Sequence, residues 1–343
     1  MNIKALINTL SSRSRTLPIV IMYVTEACNL RCVTCSYRNP LPNELTLSDI
    51  EQLAETLHAF GLRHIVYSGG EPLLRRDLPQ ICAIFQRLAV KQTLLTNGLL
   101  LERRLDDLRK YFTEIIVSVD GPTAQIHNSI RGVDAFGQII RGIEKAVRSP
   151  DRQTVSIRTV LQKQNFRNII EMVHLAKSLG VDRLSFLSAD VYSDSFGRDT
   201  RGTAAPIESI ILTEDETREF RAIIDQMVSE CKASFETGFI SESADKLRHV
   251  AQYFEALIGK ASYPRNYCNA PMVSAVITST GKLQPCFFLP AFGSLRDGRI
   301  GDLVNNSEIR STRQGVRSYS LERCQKCVCT LHVNPLSAFL DSF

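Results

Sequence analysis

Two hydrophobic rhythms alternate along this chain. Near-continuous apolar or β-branched runs occupy residues 19–24, 64–67, 92–95, 114–119, 154–160 and 183–187, and runs this short without a polar face suit strands buried on both sides. Between them, residues 47–60, 78–89, 101–110, 135–147 and 166–179 space their apolar positions three and four apart, as amphipathic helices do. In LTLSDIEQLAETLHAFG, Ser48 reads as the N-cap and Gly61 as the stop; in NFRNIIEMVHLAKSLG, Asn165 or Phe166 opens a helix that Gly180 ends. Six strand–helix units in series predict a mostly parallel sheet joined by right-handed crossovers. Six are too few to close an eight-stranded barrel. The expected fold is therefore α/β, a partial (β/α)6 TIM-like barrel, with its chemistry on loops at the C-terminal strand ends.

The rhythm then changes. Residues 188–209 are polar and glycine-containing without periodicity, the character of a functional loop. Helices follow near 213–231 and 242–258, and the stretch GKASYPRNYC marks a boundary. The expected division is an N-terminal amphipathic segment (1–18, with Ile3, Leu6, Ile7 and Leu10 at helical spacing), a barrel core (19–210), a helical connection (211–262) and a small, short-stranded, turn-rich α+β extension (263–343). No internal repeat is present at a solenoid period.

Charge changes this picture little. A net +5 from 41 basic and 36 acidic side chains gives no reason to expect a nucleic-acid partner. The arginines at 296, 299, 310, 313 and 317 read as a solvated face, with an anionic-substrate approach as the alternative. The apolar run LPIVIMYV is far too short to cross a bilayer, so no transmembrane segment and a cytoplasmic location are expected.

Cysteine changes it most. In a large chain without an export signal, ten cysteines point to metal rather than disulfides. Cys28, Cys32 and Cys35 crowd one loop just after the first strand, in TEACNLRCVTC. Their spacing suits three corners of an iron–sulfur cube with one iron left open, or three ligands of a zinc site that needs a fourth. A second group comprises Cys268, Cys286, Cys324, Cys327 and Cys329; a hairpin turning at TGK brings Cys268 and Cys286 together, and Cys324 and Cys327 have the two-residue spacing that lets both reach one metal. Spacing alone also allows a structural zinc ribbon there. Cys82 and Cys231 fall among apolar neighbours in helices and are expected in the core. The histidines form no HExxH pattern or close pair, so a histidine-held mononuclear metal is not expected.

The segment CNLRCVTC resembles the CxxxCxxC signature of the radical S-adenosylmethionine (SAM) superfamily. SGGEPLL at Ser68–Leu74, TNG at Thr96–Gly98 and VSVDG at Val117–Gly121 resemble its next motifs, in order. The resemblance covers residues 19 to about 187. It implies that Cys28, Cys32 and Cys35 hold a [4Fe–4S] cluster whose open iron binds SAM, and that reductive cleavage yields methionine and a 5'-deoxyadenosyl radical that abstracts a substrate hydrogen. By the same resemblance, Gly69 and Gly70 let backbone approach a ligand, Glu71 receives the methionine ammonium beside the turn stiffened by Pro72, and Asn97 lines the site. Ser118 and Asp120 address ribose hydroxyls, Arg158 grips the methionine carboxylate, Tyr37 packs against adenine, and the 183–188 strand presents backbone to the adenine edge.

Residues 268–329 resemble the SPASM/twitch extension of such enzymes, with Gly281 before Cys286 and GRIGDL at 298–303 in matching places. With five cysteines the chain departs from the seven-cysteine SPASM form toward the shorter twitch form. The implied ligands of a second, auxiliary [4Fe–4S] cluster are Cys268, Cys286, Cys324 and Cys327, with Cys329 a substitute or a spare thiol. A flavodoxin or ferredoxin-type donor would supply electrons.

The implied reaction is oxidation, a dehydrogenation of a small biosynthetic intermediate with the auxiliary cluster as acceptor. A radical epimerase, whose hydrogen donor would come from the 188–202 loop or the extension, and a ribosomal-peptide maturase are the alternatives. A radical SAM methyltransferase and a non-catalytic iron–sulfur scaffold stand behind them. No winged-helix peptide module is read before the first strand, which favours a small molecule over a peptide. The 188–209 loop is expected to act as a lid that keeps water and oxygen out.

Overall fold

The computed structural model describes residues 3–150, 152–198, 202 and 205–329. Six parallel strands form the core: β1 (Ile19–Thr25), β2 (His64–Gly69), β3 (Lys91–Thr96), β4 (Glu114–Ser118), β5 (Thr154–Leu161) and β6 (Arg183–Ser188). They are crossed by α1 (Ile3–Leu10, preceding β1), α2 (Leu47–Ala59), α3 (Leu78–Arg87), α4 (Leu101–Leu108), α5 (Ala124–Arg131), α6 (Phe136–Arg148) and α7 (Ile169–Ser178). The predicted strands and helices are all present at these places. All seven residues of β1 are buried, as its unbroken apolar run requires. Cys82 and Cys231 are buried in the main core, as expected.

Two local readings change. The cap of α2 is Thr46, not Ser48: its hydroxyl accepts from the Asp49 amide while Asp49 accepts from the Thr46 amide, a capping box that leaves Ser48 inside the helix. Helix α5 has no counterpart among the predicted helices; it is only eight residues long and buries His127 and Ile130.

The extension does not stand apart from the sheet. Strands β7 (Ser274–Ile277), β8 (Lys282–Gln284) and β9 (Gly293–Ser294) continue it in the order β6-β5-β4-β3-β2-β1-β7-β8-β9, with β7 parallel to β1 and the β7–β8 hairpin antiparallel. The expected TGK turn forms there, with Gly281 at φ +85°. The segment is also more helical than its sequence suggests, since Ser307–Arg317 is an eleven-residue helix. Of the arginine series, Arg296, Arg299, Arg310 and Arg317 are exposed, in keeping with the solvated reading, and Arg313 is the exception. Arg313 is 2 % exposed and donates to the carbonyls of Pro271 and Ser12, and Arg317 donates to those of Asn8 and Ser11. Asn8 in turn donates to Thr16 and Met272, so these polar contacts seat α1 on the extension.

Among the described residues no helix is long and apolar enough to cross a membrane.

Candidate functional site

The cysteine loop leaves β1 at its C-terminal end, where the parallel pairing of β1 and β2 continues past the strands. Gly70 N–H donates to Thr25 O and Glu71 N–H to Ala27 O, both at 2.8 Å. Glycine is required here by the loop itself. A Cβ on Gly69 would lie 2.3 Å from Thr25 O, and one on Gly70 2.2 Å from Ala27 O. The missing Cβ atoms make room for the backbone that launches the three cysteines.

Glu71 organises the next two strand ends. It is fully buried and accepts from Thr96 Oγ1 (2.7 Å), Asn97 N–H (2.7 Å) and Leu73 N–H (3.0 Å). Burial raises its pKa, and these donors offset only part of the rise. The GGEP-like and TNG-like segments are therefore bonded to each other through one carboxylate. Asn97 Nδ2 then reaches Asn29 Oδ1 at 2.8 Å and Cys28 Sγ at 3.9 Å, carrying the same network to the first thiol.

Asp120 is buried with both oxygens engaged: Oδ1 accepts from Val160 N–H, and Oδ2 lies 2.7 Å from Arg131 Nε. Arg131 also places Nη1 3.7 Å from Cys32 Sγ. The end of α5 is itself stitched to the cysteine loop, with Arg31 N–H donating to Arg131 O and Val33 N–H to Ile130 O. Arg131 was not singled out in the sequence. Its only local signal is a basic residue in the last helical turn ahead of Gly132, which caps in the left-handed region at φ +70°.

Ser118, Arg158 and Ser185 lie in register across β4, β5 and β6. Arg158 Nε is buried without a hydrogen-bond partner, an orphaned donor suited to an anion. Tyr37 packs edge-on to Tyr23, with ring centroids 6.1 Å apart, and Tyr23 stacks on Phe287 next to Cys286. The loop after β6 closes over this wall: Ser36 N–H donates to Phe196 O (2.8 Å), Ser36 Oγ to Gly202 O, and Ser195 Oγ to Phe287 O. A buried Arg198–Asp190 pair braces the loop.

Burial first, with the nearby Cys32 adding, pushes the thiols of Cys28 and Cys35 up to about 11 and about 12. In the extension, burial takes Cys286 to about 12 and Cys324 to about 11, and both feel Cys268. Cys327 is raised by burial and by Cys329, Cys286 and Cys268. The other four late cysteines, Cys329 included, are therefore all close enough to Cys268 to feel its charge. Cys329 N–H points at Cys327 Sγ at 3.4 Å. Thiols buried in this way become thiolates only with a compensating cation, and soft thiolate sets suit iron–sulfur clusters. Among the described residues no group of three or more Cys, His, Asp or Glu is arranged to hold a single metal ion. A multi-iron cluster instead spreads its thiolates over several corners.

Comparison with known proteins follows the same division. Residues 22–176 match the family described as the radical SAM superfamily, and residues 268–328 match an iron–sulfur cluster-binding domain, SPASM. A Fe-coproporphyrin III synthase of Methanosarcina barkeri is 29 % identical over 231 residues, 66 % of this chain and 54 % of that protein. The chain thus spans about half the length of this relative. An AdoMet-dependent heme synthase of Oleidesulfovibrio alaskensis is 24 % identical over 316 residues, 88 % of this chain and 77 % of that protein. Among solved structures, Streptococcus suis SuiB bound to S-adenosylmethionine superposes with a TM-score of 0.62 at 16 % identity, over 96 % of this chain and 75 % of that one. The enzyme anSMEcpe with bound AdoMet gives 0.63 at 17 %, over 95 % and 92 %. These two likenesses are of fold.

Proposed function

This chain belongs to the radical SAM superfamily and carries a SPASM iron–sulfur domain, and from that premise we propose that it dehydrogenates a small biosynthetic intermediate. The observation that carries the reading is the position of Arg158. It stands in the row of strand-end residues beside Ser118, with an unpartnered buried Nε, and it acts electrostatically on Cys329 of the late thiol group. SAM gripped by its methionine carboxylate at Arg158 would therefore lie close to the late thiol group. Two of the relatives are named for tetrapyrrole products, which favours a small molecule over a peptide.

The residues fit the two clusters by donor chemistry. Cys28, Cys32 and Cys35 would hold the first, with the fourth iron position left to SAM. Cys268, Cys286, Cys324 and Cys327 would hold the second. When bound, the first cluster and SAM supply a 5'-deoxyadenosyl radical that takes a hydrogen atom from substrate, while the second supplies an acceptor for the electron left behind as a proton departs to water.

The protein's own residues bind and exclude. Arg158 would clasp a carboxylate, and Ser118 would meet ribose hydroxyls. Glu71 and Asp120, whose oxygens are taken up by protein donors and by Arg131, act chiefly as positioning residues for the strand-end loops. Tyr37 forms the aromatic wall beside Cys35. The Ser193–Arg198 region shuts that wall from water. A flavodoxin or ferredoxin-type protein would deliver electrons.

The test is anaerobic reconstitution followed by reduction with SAM and candidate metabolites. The reading expects about eight irons and about eight sulfides per chain, 5'-deoxyadenosine as product, and deuterium transfer from labelled substrate into it. Solvent deuterium incorporated into an otherwise unchanged substrate would indicate epimerisation instead, and S-adenosylhomocysteine would indicate methyl transfer.

A further inference from the structure

A half-buried cation stands beside the late thiols. Lys246 lies in the first turn of the helix Ala244–Leu257, and its ammonium donates to Asn266 Oδ1 at 3.3 Å. Asn266 Nδ2 in turn donates to the carbonyl of Cys327. This relay fixes the charge against the thiol group: burial lowers the Lys246 pKa, while Cys329, Cys327, Glu242 and Cys268 act to raise it. Glu242 is anchored at the middle of β6 by Ser185 Oγ and Phe186 N–H, both at 2.8 Å, with Arg158 acting on it from β5. Glu242 thus has its own hydrogen-bond donors, while Lys246 feels Cys329 and Cys327 ahead of Glu242 and adds a positive charge next to the cysteines.

We propose that Lys246 sets the reduction potential of the auxiliary cluster, holding it high enough to accept the substrate's electron. The inference rests on the functional reading above. Each electron added to a thiolate-bound cluster makes it more negative, so a fixed, half-buried ammonium beside it favours the reduced form over the oxidised one. Lys246 touches neither substrate nor reacting atoms in this scheme. It is a positioning residue that acts through the thiolates.

The test is an EPR-monitored redox titration of the anaerobically reconstituted full chain, in which the auxiliary signal is the one that SAM leaves unchanged. Lys246→Gln is expected to keep the wild-type iron and sulfide content and shift the reduced-to-oxidised ratio of that cluster about tenfold toward oxidised at fixed poise, about 59 mV for a one-electron couple. Lys246→Arg, which keeps the charge, is expected to restore most of it. An unchanged potential in Lys246→Gln with both clusters intact overturns the inference. So does loss of the auxiliary cluster in both variants, which would make Lys246 a purely structural residue. A wild-type chain that holds only one cluster fails the functional reading before any variant is compared.

Discussion

Arg131 Nε lies 2.7 Å from the Asp120 carboxylate, with the two side chains only 12 % and 4 % exposed, and the same guanidinium reaches Cys32 Sγ. One buried pair therefore ties the end of β4 to the middle of the cysteine loop. Removing one partner of such a pair strands the other charge, at a cost of about 3–5 kcal/mol. Arg131→Gln is expected to lose that much stability in chemical denaturation and to retain less iron after reconstitution. Asp120→Asn/Arg131→Gln together should cost less than the two single changes summed.

Gly70→Ala puts a methyl 2.2 Å from Ala27 O and 2.6 Å from Glu26 O, both backbone atoms that move only with the loop. A loss of roughly 2 kcal/mol or more is expected. The readout specific to this site is the first cluster: iron per chain should fall toward about four, with the auxiliary cluster retained.

His127 carries the pH dependence. It is fully buried, accepts the Asp120 N–H on Nδ1 and packs on Phe136; burial, with Arg131 adding, lowers its pKa to about 3. A histidine held neutral in the fold contributes stability that is complete above its unfolded pKa near 6.5 and is lost as pH falls from there toward the folded value. By pH 5 the loss is about 2 kcal/mol. Denaturation midpoints of the wild type should drop between pH 7 and pH 5, and those of His127→Asn should be flatter over the same interval.

Cys329 contributes to its neighbour through backbone, since its N–H points at Cys327 Sγ. Cys329→Ala keeps that contact and is expected to hold about eight irons, whereas Cys327→Ala should fall to about four. Equal losses in both variants would place Cys329 among the ligands.

The alternation of buried strands and amphipathic helices was legible because periodicity records, residue by residue, which face is covered. Thiol spacing was legible for the same reason, since a loop of eight residues brings Cys28, Cys32 and Cys35 together whatever surrounds it. Helix α5 was not, since two turns are too short for a periodic pattern to stand out from the loop around them.

What the sequence alone determined is thus local: the run of strands and helices, the two thiol groups and the glycine-bearing strand ends. The tertiary structure decided who answers whom. It set Arg131 beside Cys32 across 99 positions of chain, laid β7 against β1, committed the oxygens of Glu71 and Asp120 to internal donors, and turned Arg313 from an expected surface cation into a buried clamp. Partner choice for a polar side chain depends on which distant groups the folded chain brings within hydrogen-bonding distance, and no periodic pattern encodes that.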